Sequence, residues 1–181
     1  MVKTFLTSDT HFFHENVIKF CNRPYGSAEH MNEEMVKNWN NVVGPADHVW
    51  FLGDFSFGKV GPTEDILLRL KGIKHLIKGN HDRKGSCSGL KWENHFATVH
   101  DYYLLKMSKE HKAVLCHFPF SSWERGYYNF HGHVHTMPGQ MFSKWRQHDV
   151  GVDNNQYTPI LFQDAMDRSV KGKEEPNGKY N

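Results

Sequence analysis

The segment HGHVH at residues 131–135 places three histidines in five positions. Imidazole is the side chain most often found on metals and serves as acid or base near neutral pH. Other oxygen and nitrogen donors gather in short clusters: Asp9 and His11 in TSDTH, Asp54 in GDFSFG, Asn80, His81 and Asp82 in GNHD, and His117 in CHFPF. With His133 and His135 they form a carboxylate, amide and imidazole set without thiolate. Such a set suits divalent Mn, Fe, Ni or Zn better than a structural, cysteine-rich zinc site. There are too many donors for one ion. Two ions ~3.5–4 Å apart, sharing a carboxylate, could clamp a phosphoryl group for in-line attack. HFFHE at residues 11–15 matches neither HExxH nor HxxEH, so no metalloprotease helix is indicated.

Short apolar runs stand directly before these clusters. VKTFL precedes TSDTH, HVWFL precedes GDFSFG, IKHLIK precedes GNHD, AVLC precedes HFPF, and YYNF precedes HGHVH. Runs of this length, rich in β-branched and aromatic residues, predict buried strands. Ser27 is placed to cap a helix over AEHMNEEMVKNWNNVV, with Met31, Met35, Trp39 and Val42 near one face and Gly44-Pro45 as its stop. A second helix is expected over TEDILLRLK with Thr63 as cap, acids in its first turn and bases in its last. Alternating strands and helices predict an α/β layered fold, and the scarcity of long helices later in the chain predicts a partly antiparallel or mixed sheet. In such sheets ligands gather beyond the carboxyl ends of the strands, so the separate clusters would meet in one pocket. Gly53, Gly79 and Gly132 each stand just before a donor, where a missing Cβ permits close approach. Residues 83–95 read as a surface loop.

The chain has 181 residues, 38% hydrophobic, 23% charged and 14% aromatic. This is a globular composition, consistent with one domain over residues 1–170 and a fraying polar tail over 171–181. A net charge of +2 gives no reason to expect a dedicated nucleic-acid surface or a membrane binder. Cys21, Cys87 and Cys116 are odd in number and unpatterned, which predicts free thiols in a reducing compartment. With no apolar run of signal-peptide or membrane-span length, a cytoplasmic location is expected.

Each cluster alone is ambiguous, since GD is a common turn dipeptide and GNHD fits a tight turn. Taken in order, however, Asp9-x-His11, Gly53-Asp54, GNHD, His117 and GHVH resemble the signature of the calcineurin-like metallophosphoesterase superfamily, in its small bacterial and phage-type members. GVDNNQYTPI resembles the closing strand region of those members. The resemblance implies a mixed β-sandwich flanked by helices in four layers, and two divalent ions, with Mn favoured. It implies that Asp9, His11 and His135 hold one ion, that Asn80, His117 and His133 hold the other, and that Asp54 bridges them. His133 and His135 would point to one side of an extended segment, with His131 structural or supporting. The ion pair would supply hydroxide from a bound water and neutralise phosphoryl charge. His81 would be the general acid, with Asp82 orienting and charging its ring.

The short gaps between motifs imply an open cleft without a cap domain. A phosphate ester is the implied substrate, with a leaning toward phosphodiesters of nucleotide type. A phosphomonoesterase is the alternative, and a non-catalytic scaffold is disfavoured because no donor is missing. His14, Arg23 and Arg125 are candidate substrate-binding residues, the arginines because guanidinium matches phosphate oxygens. Trp123, Tyr127 and Tyr128 could stack a base.

Overall fold

The computed structural model describes residues 1–84, 87, 89–135, 144–171 and 173. In chain order the first elements are β1 (Thr4–Thr7), α1 (Glu15–Phe20), α2 (Ala28–Val42), β2 (His48–Phe51), α3 (Val60–Arg69), β3 (Ile73–Ile77) and α4 (Asn80–Arg83). They are followed by β4 (Thr98–His100), β5 (Tyr102–Lys106), β6 (Lys112–Cys116), β7 (Tyr128–His131), β8 (Gln147–Asp149), β9 (Ile160–Leu161) and α5 (Phe162–Val170). All five expected apolar runs are strands. They build two mixed sheets, ordered β4-β3-β2-β1-β9 and β5-β6-β7-β8. In the first sheet β1 to β4 are parallel and β9 is antiparallel; in the second, β5 is antiparallel to β6, while β6, β7 and β8 are parallel.

The strand period of two divides the core. Phe5, Val49, Phe51 and Leu76 join Met31, Met35 and Trp39 of α2 and Ile66 and Leu67 of α3 in one buried cluster. Their neighbours Leu6, Trp50 and Ile77 face the other way and meet Leu115, Phe130 and Met166 in a second cluster. The first sheet is therefore apolar on both faces, as a parallel sheet covered on both sides must be. Its strands end with donor-bearing loops between the two layers. Trp39 is buried and donates its indole N–H to the Lys71 carbonyl at 2.9 Å. Trp39→Ala should lower unfolding free energy by ~3–5 kcal/mol in denaturant titration, and a loss under 1 kcal/mol would contradict this account of the core.

The Ser27 cap of α2 forms, its hydroxyl accepting the His30 N–H at 3.2 Å. The expected Thr63 cap does not. Helix α3 begins at Val60 after Lys59, because Pro62 falls in the first turn, where a missing N–H breaks no helical bond. Thr63 is inside the helix, and its hydroxyl lies 2.8 Å from Ser56 Oγ and 3.3 Å from Cys87 Sγ. Nor is the 83–95 segment a surface loop: Cys87, Leu90 and Trp92 are buried in the first core cluster. The expected frayed tail lies outside the described residues except Lys171 and Lys173. All three cysteines are free thiols, and no described helix is long and apolar enough to cross a membrane.

Candidate metal centre

The loops that follow β1, β2, β3, β6 and β7 converge. Those after β1 and β2 run side by side, with Asp9 N–H donating to Gly53 O at 2.9 Å and His11 N–H to Asp54 O at 3.2 Å. The loops after β6 and β7 join through Gly132 N–H and His117 O at 3.0 Å. Among the described residues two donor groups of carboxylate and imidazole result, Asp9 with His11 and His135, and Asp54 with His117 and His133, and a third group, Cys21 with His135 and Asp153, adjoins the first. In the first, the Nε2 atoms of His11 and His135 are 3.2 Å apart, and each lies 3.8–3.9 Å from Asp9 Oδ1. In the second, His117 Nε2 lies 3.4 Å from Asp54 Oδ2 and 3.1 Å from Asn80 Oδ1.

Five of these donors have left-handed backbone: Asp9 at φ 57°, His11 at 49°, Asp54 at 60°, His133 at 70° and His135 at 45°. Each costs about 1 kcal/mol or more, and such conformations collect at functional sites. This corrects the extended reading of HGHVH. Strand β7 stops at His131, and His133 and His135 are aimed by left-handed turns rather than by strand alternation. His131 is buried, with Nδ1 on its neighbour's carbonyl and Nε2 without a hydrogen-bond partner among the described residues. Close approach accounts for two glycines. A Cβ on Gly132 would overlap Asp9 Oδ2 and Ser8 Oγ, and one on Gly79 would overlap Asp54 Oδ1.

Partners on the far ring nitrogens leave the near ones facing the centre. His117 Nδ1–H donates to the Leu52 carbonyl at 2.7 Å, and His135 Nδ1–H to Asp153 Oδ2 at 2.7 Å. Such contacts select the tautomer whose Nε2 is a free donor. Burial, with the Asp149 carboxylate adding to it, pushes the Asp9 carboxyl up to about 7 against the partial relief of His117 and His135. Burial opposes charge on His117 and His135, but the carboxylates around them prevail and raise the rings to about 9 and about 11. Asp54 is also opposed by burial, yet His117 and the His81 N–H hold it down at about 2.

The remaining site candidates divide. His81 is 44% exposed, with Nε2 3.9 Å from Asp54 Oδ2 and its ring 4.5 Å from that of Phe57. Asp82 does not orient that ring. Its buried carboxylate accepts backbone N–H bonds from Asp54 at 2.8 Å, Phe55 at 2.9 Å and Gly79 at 2.8 Å, which ties the β2 and β3 loops together. His14 stacks on Phe57 at 3.9 Å beside the site. Arg23 is not a phosphate clamp: it is buried, and its guanidinium is saturated by Asp153, the Asp9 and Thr10 carbonyls and Met31 sulfur.

Arg125 is exposed and, with half-buried Trp123 and Trp145 and buried Tyr127, lines a cavity of about 600 Å³. That cavity adjoins the first residues of β7 and β8, whereas the donors follow the last residue of β7. None of the donors lines that cavity, so the structure does not bring Arg125 and Trp123 into the donor cluster. Asp153 was not among the sequence candidates. The strand before it, β8, reads Gln147-His148-Asp149, so GVDNN lacks the apolar run that marks the other clusters and carries no comparable signal.

Parallel strands delivering a carboxylate and imidazole cluster into the seam of a two-sheet sandwich define a metallohydrolase class of site. The family model for calcineurin-like phosphoesterases matches residues 2–177. The chain belongs to that family, and membership implies metal-dependent hydrolysis of phosphoesters. It is 34% identical over 181 residues to an uncharacterised protein of Methanocaldococcus jannaschii, covering 96% of this chain and 94% of that one. It is 30% identical to the gene 66 protein of Mycobacterium phage D29, over 84% of this chain and 89% of that one. The crystal structure of a protein of unknown function from Aquifex aeolicus shares the fold, with a TM-score of 0.73 at 24% identity, covering 94% of this chain and 100% of that one.

Proposed function

We propose that the chain is a two-ion phosphoesterase, with Asp9, His11 and His135 holding one divalent ion, Asn80, His117 and His133 the other, and Asp54 serving both. One observation carries this reading. Asp54 Oδ2 lies 3.8 Å from His11 Nε2 in one group and 3.4 Å from His117 Nε2 in the other. The donors fit cations by a further test: Asp9 Oδ1 is buried with no hydrogen-bond partner among the described residues, a costly arrangement for a carboxylate without a positive neighbour. Donor atoms sharing one ion at ~2.1 Å stand about 3.0–3.4 Å apart, which the 3.2 Å His11–His135 separation matches. The oxygen and imidazole set suits Mn, Fe, Ni or Zn, and family resemblance inclines the choice to Mn.

When bound, the ions supply a water acidified toward neutral pH and neutralise charge on the phosphoryl oxygens. The chain supplies orientation and a proton. Asp54 Oδ1 accepts the His81 backbone N–H at 2.9 Å, and the exposed His81 ring is free to protonate a leaving-group oxygen. Aromatic surface supports the nucleotide leaning. Phe20, 73% exposed, stands edge-on to His14 on one side of the donors, and Phe118, 42% exposed, stands 4.6 Å from the His133 ring on the other. Such rings stack bases at ~1–3 kcal/mol each.

With Mn, turnover of bis-p-nitrophenyl phosphate should exceed that of p-nitrophenyl phosphate, followed by hydrolysis within a panel of nucleotide diesters. Monoester turnover alone would select the phosphomonoesterase, and ion uptake without turnover of either ester would select a binding scaffold. Gly132→Ala should push Asp9 out of register and lower divalent affinity at least about tenfold by calorimetry; unchanged affinity would count against Asp9 as a ligand.

A further inference from the structure

One buried guanidinium is tied to the backbone of the first donor group and, through Asp153, to His135, and its bonds touch no donor of the second. Arg23 Nε and Nη2 donate to Asp153 Oδ1 and Oδ2 at 2.7 and 2.8 Å. The same Asp153 Oδ2 accepts His135 Nδ1–H at 2.7 Å. The rest of the guanidinium faces the loop after β1, with Nη2 on the Asp9 carbonyl and Nη1 on the Thr10 carbonyl, both at 2.8 Å. Those carbonyls flank Asp9 and His11, which hold left-handed backbone on either side of Thr10. The side chains of Arg23 and Asp153 are 0% and 5% exposed. Water therefore cannot readily replace these bonds, and a planar fork in fixed geometry is stiffer than any single contact.

We infer that Arg23 and Asp153 are positioning residues for the ion held by Asp9, His11 and His135, and not for its neighbour. Asp153 holds His135 Nδ1 as the protonated nitrogen, so that Nε2 turns to His11 with its lone pair free. Arg23 locks Asp153 and pulls the Asp9 and Thr10 carbonyls away from the site, which turns the Asp9 and His11 side chains into it. Its charge has a second consequence. Cys21 Sγ, His135 and Asp153 form another donor group, with Cys21 Sγ 3.4 Å from His135 Nδ1. A guanidinium on both oxygens of Asp153 makes that group hostile to a cation and keeps His135 for the first site. His117, in the second donor group, is oriented independently by the Leu52 carbonyl.

This inference rests on the two-ion reading, and wild type separates the two. If wild-type protein takes up no divalent ion by calorimetry with Mn, the two-ion reading fails. Given two ions in wild type, Asp153→Asn should weaken one binding step about 10–100-fold and leave the other within about twofold. The visible spectrum of the Co-loaded variant should change for one ion only. Arg23→Lys, which keeps charge but loses the fork, should show the same selectivity to a smaller degree. Cys21→Ala should leave both steps unchanged, since Asp153 is the closer partner of Nδ1. Equal loss of both steps in a variant with native near-ultraviolet circular dichroism would overturn the inference. So would no loss in either variant, loss with Cys21→Ala, or failure of both variants to fold, which would make the pair purely structural.

Discussion

Asp54→Asn should lose phosphoesterase turnover by ~10³-fold or more and lose bound metal with it, because one carboxylate serves both ions and a neutral amide cannot balance them. His81→Ala should behave differently. It should keep both ions, retain much of its turnover of p-nitrophenyl esters, and lose ~10²–10⁴-fold on alkyl esters, whose leaving groups need a proton. The contrast follows from placement: Asp54 is buried between the two donor groups, while the His81 ring is 44% exposed at their edge. Metal analysis and leaving-group series on the two variants check it. If His81→Ala sheds metal as Asp54→Asn does, His81 is a ligand and the proton must come from elsewhere.

Metal removal should be the second large effect, and its size should depend on pH. Three of the donors bind protons more tightly folded than unfolded: Asp9, raised from 3.8 to about 7, His117, raised from 6.5 to about 9, and His135, raised from 6.5 to about 11. A raised group stabilises fully below its unfolded pKa and ceases to do so as pH rises through its folded one. In ion-free protein these three should therefore withdraw stability from about pH 4 to 7 through Asp9, partly offset by His11 and His133, whose rings burial pushes down, and again above about pH 6.5 through His117 and His135. Divalent ions compete with those same protons, so their affinity should increase over the same range. Saturating Mn should raise Tm by on the order of 10 °C at pH 8.5, and by clearly less at pH 6. Thermal melts with Mn and with EDTA at both pH values measure this. A Tm difference independent of pH would show that these groups do not bind the ions.

Much of the fold is legible in the chain because burial on both faces leaves a local mark. Phe5 and Leu6, or Phe51 and Leu52, can be apolar in succession only where each side of a strand meets a core. The donors are legible for a related reason, standing where those runs end. What is not legible depends on partners without a sequence mark. Asp82 and Arg23 have the residue types of an acid-base dyad and a phosphate clamp, yet Asp82 is held by backbone amides and Arg23 by backbone carbonyls and by Asp153, 130 positions away, and none of these leaves a local mark. Thr63 offers a capping hydroxyl, but the helix has already begun at Val60. The aim of His133 and His135 is set by a backbone sign that no apolar period encodes. Burial of Cys87 and Trp92 is likewise invisible in a segment dominated by Gly, Ser and Lys.

The left-handed donors carry a consequence for how the site tolerates drift. Among residues with a Cβ, asparagine, aspartate and histidine enter that conformation most readily. These are also oxygen and imidazole ligands, so at Asp9, His11, Asp54, His133 and His135 the main chain and the coordination chemistry admit almost the same short alphabet. Exchange within it, such as His133→Asp, should leave a folded protein with altered ion preference. Glutamate and cysteine ligate as well, but at these positions they would meet a conformational barrier before any chemical one.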